Sequence, residues 1–127
     1  MGEEDGSAIR SYRDLQVWRA AVELAVDCYN ETKCFPISET YGITSQIRRS
    51  SASIAANIAE GYGRESTATY IQFLRISQGS TKELETHIII AERVGLWTGV
   101  TATKLLAKSG HIGKMLRALI RSLQRKS

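Results

Sequence analysis

The 127 residues include one proline, Pro36, and two cysteines, Cys28 and Cys34. With so little proline, the stretches rich in Ala, Leu, Glu, Lys, Arg and Gln run almost uninterrupted, and such stretches favour helix. Two thiols are too few for a disulfide-stapled scaffold. As a zinc site they lack two further ligands at sensible spacing, so both are expected to be reduced structural cysteines and no metal is expected on them. No uncharged apolar run approaches the roughly 20 residues of a membrane span. Glu3, Glu4 and Asp5 stand where a secretory leader needs positive charge before an apolar run, so the chain reads as cytoplasmic, with no membrane partner. No internal repeat or low-complexity tract is present, and nothing alternates with period two for long enough to form a strand.

Catalytic patterns are equally scarce. No serine lies in a G-x-S-x-G setting with a His and an Asp to serve it. Gly61-Tyr62-Gly63-Arg64 reads as a helix terminus and not as a phosphate-binding loop. Glu60 has neither a cleft nor a nucleophile beside it in the pattern, as a general base would need. Glu83 and His87 lie one helical turn apart, but carboxylate-bundle metal sites draw Glu-x-x-His pairs from several helices. Here the spacing is Glu-x-x-x-His on one helix, and His111 sits alone among lysines. The expectation is a protein that is not an enzyme and uses no cofactor.

Four segments instead repeat apolar residues at spacings of three and four, the signature of a helix burying one face. The first carries Leu15, Trp18, Val22, Ala25 and Tyr29, with Ser11 as its cap and Asp14 near the positive end of its dipole. It must end before Phe35-Pro36. The second restarts at Ser38, again a cap residue, with Glu39 in its first turn and the stripe Ile43, Ile47, Ser50, Ile54 and Ile58, and closes around Gly61 and Gly63. The third runs from Ser66 or Thr67 through Tyr70, Phe73, Ser77, Leu84, Ile88 and Ala91. Gly95 offers it a left-handed terminating turn, and Leu96 the hydrophobic contact that follows such a turn. The fourth begins between residues 98 and 101 and carries Leu105, Ile112, Leu116, Leu119 and Leu123. Residues 1–10 read as a flexible tail and 11–127 as one all-α domain, an antiparallel up-down-up-down four-helix bundle.

Residues 50–59 read SSASIAANIA, without a charge over nearly three turns. A helix on the outside of a lone bundle shows a polar face. Small residues also let helices approach closely, which marks Ser51, Ala52, Ala55, Ala56 and Ala59 as a candidate contact between copies; the competing reading is a central helix covered by its own neighbours. Gly79-Ser80 in the third segment has the same character. Gln46, Asn57, Glu60 and Glu83 are expected to form a structural polar network that fixes helix register, because buried polar groups need partners.

Several blocks carry a family resemblance. They are Tyr41-Gly42-Ile43-Thr44-Ser45-Gln46-Ile47-Arg48-Arg49, then Ser53-Ile54, then Asn57-Ile58-Ala59-Glu60-Gly61-Tyr62-Gly63-Arg64, together with Phe73-Leu74, Gly79-Ser80 and Glu83-Leu84-Glu85-Thr86. Over roughly residues 10–125 the chain resembles the four-helix-bundle proteins encoded in intervening sequences of bacterial 23S rRNA genes. It is more distantly similar to Avd, the accessory protein of diversity-generating retroelements. The resemblance implies a bundle that assembles as a ring-like homopentamer. It supplies no enzyme activity, and through the Avd-like relatives it points to RNA and a reverse transcriptase as partners.

Charge adds a further indication. The net charge is +4, and no acidic residue follows Glu92. Lys104, Lys108, Lys114, Arg117, Arg121, Arg125 and Lys126 do follow it, and Arg117, Arg121 and Arg125 stand four apart on the last helix. Cations near a helix C-terminus also meet its dipole, but a face that serves only solubility mixes both signs. These seven residues are therefore candidate contacts to RNA or another nucleic acid, and a ring would repeat them. Arg48, Arg49 and Arg64 either add to that surface or pair with Glu60 or Glu65. No aromatic platform for reading bases is evident. The rival reading is a protein-interaction scaffold, for example an accessory protein for a reverse transcriptase.

Overall fold

The computed structural model describes residues 9–126. Four helices, α1 (Gln16–Glu31), α2 (Ile43–Tyr62), α3 (Thr67–Arg93) and α4 (Gly99–Lys126), form an all-α four-helix bundle, with no strand among the described residues. The α2–α3 and α3–α4 connections, residues 63–66 and 94–98, are short, and residues 32–42 between α1 and α2 are taken up by two 3-10 turns. Each helix packs against two neighbours in the cyclic order α1, α2, α3, α4, and α2 with α3 share the broadest contact. Residues 1–8 of the expected flexible tail lie outside the described residues. Its remainder is not free, because Ile9 packs against the core and the Arg10 amide donates to Asp14 Oδ2 at 2.8 Å.

The first helix departs from the expected pattern. Ser11 does form a capping box with Asp14, but around a separate 3-10 turn, Tyr12–Asp14, ahead of α1. The side chains that α1 buries are Val17, Ala21, Leu24 and Cys28. Of the expected stripe only Leu15 is buried; Trp18, Val22 and Ala25 are half-buried and Tyr29 is exposed. Alpha-helical geometry turns about 100° per residue, so the two stripes are neighbouring arcs of one broad apolar face. The inner arc meets the core. The outer arc lies on the α2 side, where Arg48 of α2 sits over the Tyr29 ring at 4.7 Å.

The connection to α2 also differs. Ser38 does not cap α2: Pro36 opens a short 3-10 turn at Ile37–Glu39, and α2 begins at Ile43 after an uncapped Gly42. The α1 terminus is closed by Thr32, whose hydroxyl donates to Cys28 O at 2.8 Å and Tyr29 O at 3.1 Å. Arg48 Nε in turn donates to Thr32 Oγ1 at 2.9 Å, placing a cation at the negative end of the α1 dipole. Trp97 from the α3–α4 connection seals the same end, donating Nε1 to Glu31 O at 2.9 Å and packing on Phe35.

The other elements follow the sequence closely. In α2 the residues Ile47, Ser50, Ile54 and Ile58 are all fully buried. Ser66 caps α3 through a 3.1 Å bond from the Thr69 amide. Gly95 takes φ +85°, and the amides of Gly95 and Leu96 bond to Glu92 O (3.0 Å) and Ala91 O (2.9 Å), the paired closure of a left-handed helix stop. Thr98 receives the Thr101 amide at the start of α4. In α4 the buried line is Ala102, Leu105, Ser109, Ile112, Leu116 and Ile120, so toward its end the stripe passes through Ile120, with Leu119 and Leu123 beside it.

The glycines separate by environment. A Cβ on Gly61 would lie 2.7 Å from Phe73 Cβ and 3.2 Å from Tyr70 O, so α2 and α3 meet there with no room for a side chain. Gly79 is the reverse. A Cβ there would meet nothing within 4 Å, so the close backbone contact expected at Gly79-Ser80 is absent within the subunit.

Candidate nucleic-acid interface

Helix α4 carries its cations on two edges. Lys104 Nζ lies 3.1 Å from Glu31 Oε2. Lys108 bonds Asp27 and lies 3.9 Å from Glu23 Oε1. The Asp27 carboxylate is the main cause that raises the Lys108 ammonium above its usual range, while partial burial opposes it. The acids missing from the end of the sequence are therefore supplied by α1, across the helix interface. Lys104 and Lys108, expected among the nucleic-acid contacts, face these carboxylates and belong to an internally neutralised edge.

The second edge is different. Lys114, Arg117, Arg121 and Arg125 are exposed there, as is Lys126, which the helical turn brings back to the Lys108 side at the end of α4, and none of the five has an ion-pair partner among the described residues. Arg117 and Arg121 line an open depression of about 220 Å³ between α3 and α4, together with Arg75, Gln78, Ile120 and Gln124. A second depression of about 260 Å³ adjoins it through Gln78 and Arg117 and adds Gly79, Thr81, Lys82 and Gly113. No carboxylate lines either. The nearest carboxylate in α3, Glu85, is held by Lys82 Nζ at 3.3 Å and by Ser109 Oγ at 2.7 Å. Each step of four residues turns the helix by about 40°, so Arg117 and Arg121 reach the groove while Arg125 winds away from it. Arg75 was not among the expected contacts. Its sequence signal is the lack of any acid three or four positions away in either direction, where an intrahelical partner would sit.

The expected polar network divides into three parts. Arg49 Nη2 donates to Gln46 Oε1 at 2.7 Å and to Glu83, and His87 lies 3.6 Å from the same carboxylate. Asn57 Nδ2 donates to Ser53 O at 2.9 Å and Ser53 Oγ at 3.0 Å, and Ser53 Oγ shares a 2.9 Å bond with Ser80 of α3. Glu60 joins neither cluster; it is exposed and pairs with Arg64 one turn on. The serine contact ties α2 to α3 from a half-buried position, Ser77 Oγ of α3 donates to Ile54 O of α2 at 2.9 Å in the core, and the Arg49–Glu83 pair joins the same helices at the surface. Of the chemistry-bearing pairs, Glu83 and His87 remain a pair only, and no group of three His, Cys, Asp or Glu among the described residues is arranged to hold a metal ion. Nor is any described helix long and apolar enough to cross a membrane.

The small-residue face is partly used inside the subunit. Ser51 and Ala55 are buried, so they are not open to another copy. Ala52 and Ala56 are exposed and Ala59 is half-buried. Cys28 is sealed on this side of the core: burial pushes its thiol up to about 12, and a hydrogen bond from Ser51 opposes that only in part. Cys34 is exposed.

Known proteins place this arrangement. The family model of the 23S rRNA-intervening sequence protein matches residues 13–118. A solved structure from Bacteroides thetaiotaomicron, described as a protein with unknown function from the S23 ribosomal protein family, superposes with a TM-score of 0.75 at 29% identity. The match covers 82% of this chain and 97% of that one. No curated protein matches the chain.

Proposed function

The chain belongs to the 23S rRNA-intervening sequence protein family, and from that premise we propose that it is a non-enzymatic, homo-oligomeric bundle that binds RNA through the unpaired cations of α4 and their α3 neighbour Arg75. The observation that carries this reading is the segregation of charge. Every α4 cation within reach of α1 meets a carboxylate, whereas Arg117, Arg121, Arg125, Lys114 and Lys126 have no such partner. Unneutralised guanidinium groups lining an open groove favour phosphate, which they hold through two parallel hydrogen bonds. The aromatic contacts are spent elsewhere: Tyr12 on Trp18, Phe35 on Trp97 and Tyr62 on Tyr70. No ring lines the basic groove, so the reading is of backbone binding without base recognition.

Copies associate, on this reading, through the outer arc of α1 and the open alanines of α2. Val26 and Tyr29 are exposed, Trp18, Val22 and Ala25 beside them are only half-buried, and Ala52, Ala56 and Ala59 continue the uncharged surface. Such a contiguous apolar patch marks an interface. A ring of five copies repeats the basic edge five times and makes a modest cation multivalent. The test is fluorescence anisotropy with a generic RNA across a salt series, alongside light scattering. Binding that weakens steeply with salt, on an assembled protein, supports the proposal. No binding at low salt, or a lone subunit at micromolar concentration, overturns the corresponding half of it.

A second reading, a protein-interaction scaffold such as an accessory protein for a reverse transcriptase, is favoured by a different surface. Ile37, Tyr41, Val94 and Val100 are 91%, 97%, 64% and 82% exposed, all at the bundle end sealed by Phe35 and Trp97. Under that reading Ile37→Asp with Tyr41→Asp abolishes partner capture and leaves RNA affinity unchanged.

A further inference from the structure

Glycine is, after proline, the least favourable residue in a helix interior, yet α3 carries Gly79 and α4 carries Gly113 well inside their lengths. The packing of the subunit does not require either one, since a Cβ at each position meets nothing within 4 Å. Gly110, one turn earlier on α4, has the same open surroundings. Gly79 and Gly113 face the same depression, with Gln78, Thr81, Lys82 and Arg117 around them. That depression continues directly into the one held by Arg75, Arg117 and Arg121. The result is a trough along the α3–α4 seam, lined by Arg75, Arg117 and Arg121 at one end and opened at the other by two glycines beside Gln78, Thr81 and Lys82.

The two depressions, of about 220 and 260 Å³, are narrow surface hollows that match one extended strand, whereas a duplex would touch only their rims. Arg117 and Arg121 are separated by about 6 Å along the helix axis, comparable with the spacing of neighbouring phosphates on a single strand. Gln78, which lines both depressions, adds an amide that can donate to phosphate or sugar oxygens. We infer that this trough seats a single phosphodiester strand, with Arg75, Arg117 and Arg121 holding its phosphates and Gly79 and Gly113 leaving room for its backbone. The inference rests on the RNA-binding reading above and adds to it a defined seat, where that reading needs only attraction to a charged edge. Arg125 and Lys126, which do not line the trough, contribute attraction at longer range.

The test separates charge from space. Gly79→Leu/Gly113→Leu fills the trough without changing charge, and Gly79→Ala/Gly113→Ala removes the glycines while filling little. Both are better helix formers than glycine, and thermal melts that match or exceed the wild type show that each has folded. The probe is a fluorescein-labelled oligouridylate, with an oligothymidylate and an RNA duplex of equal length beside it. The leucine variant is expected to bind the oligouridylate about tenfold more weakly, with the alanine variant close to wild type. Both single strands are expected to bind alike, and the duplex more weakly. Wild-type affinity in the leucine variant overturns the seat while leaving the reading it rests on intact. That reading falls separately if Arg117→Gln/Arg121→Gln binds normally. A duplex that binds as tightly as the single strands overturns the strand assignment. A leucine variant with unchanged RNA affinity and a smaller mass in light scattering makes the trough a contact between copies instead.

Discussion

Replacing Gly61 and Gly79 by alanine is the same chemical change in two environments, and the fold requires opposite outcomes. Gly79 lies in the interior of α3, where alanine gains about 1 kcal/mol in intrinsic helix propensity, and Gly61 lies in the last turn of α2, where the gain is no larger. At Gly79 nothing opposes that gain, because the new methyl meets no atom within 4 Å. At Gly61 the methyl lands 2.7 Å from Phe73 Cβ and 3.2 Å from the Tyr70 carbonyl oxygen. One of these atoms belongs to the backbone and the other is fixed directly to it, so neither can swing aside. Overpacking of this kind costs about 1–3 kcal/mol. Since the propensity gain at Gly61 is no larger than at Gly79, the clash sets the least difference: Gly79→Ala should exceed Gly61→Ala in stability by at least about 1–3 kcal/mol. Urea unfolding followed by far-UV circular dichroism reads this difference, at one fixed protein concentration, since assembly makes apparent stability concentration-dependent. Equal stability of the two variants would refute the tight α2–α3 corner, and with it the packing that sets Phe73 and Tyr70.

Other outcomes follow from the titrating groups. In the native protein a thiol reagent should label Cys34 and spare Cys28, with both reacting after unfolding; labelling of both in the folded state would contradict the sealed core. Because the folded Cys28 thiol ionises only near 12 and an unfolded one near 9.0, its contribution is complete below pH 9 and is lost as pH rises further. Lys108, also raised, acts in the same direction, so Asp27→Asn should flatten the alkaline fall in stability. Asp14 works at the other end. The Arg10 amide and then that of Ser11 hold its carboxyl below the ordinary 3.8, so its contribution is present above that value and disappears as pH falls through the lowered one. Asp14→Asn should therefore reduce the acid-side slope of stability against pH.

The parts legible in the sequence were those decided by local chemistry. The spacing of Ile47, Ser50, Ile54 and Ile58, in steps of three and four, left α2 a single way to face the core, and Gly95 followed by Leu96 specified the end of α3 down to its hydrogen bonds. Helix α1 was ambiguous for a physical reason. Its apolar residues cover so wide an arc that Trp18, Val22, Ala25 and Tyr29 repeat as regularly as Val17, Ala21, Leu24 and Cys28, and only the placement of α2 and α4 decides between them. The basic edge was half legible. The sequence shows that α4 has no acids of its own, but the pairing of Lys104 with Glu31 and of Lys108 with Asp27 joins residues more than seventy positions apart. Arg75 was missed for the matching reason, since its link to Arg117 and Arg121 exists only across the α3–α4 seam.

The measurement that bears most directly on the account compares two sets of cations in one assay, the dependence of RNA affinity on salt. Each lost phosphate contact to a single strand lowers the slope of log affinity against log salt by about 0.7. Arg75→Gln/Arg117→Gln/Arg121→Gln should therefore reduce it by roughly 2, while Lys104→Gln/Lys108→Gln, which removes cations already facing α1 carboxylates, should leave it near the wild-type value. Equal losses from both sets, or an unchanged slope in the triple arginine variant, would contradict the assignment of RNA to the α3–α4 edge.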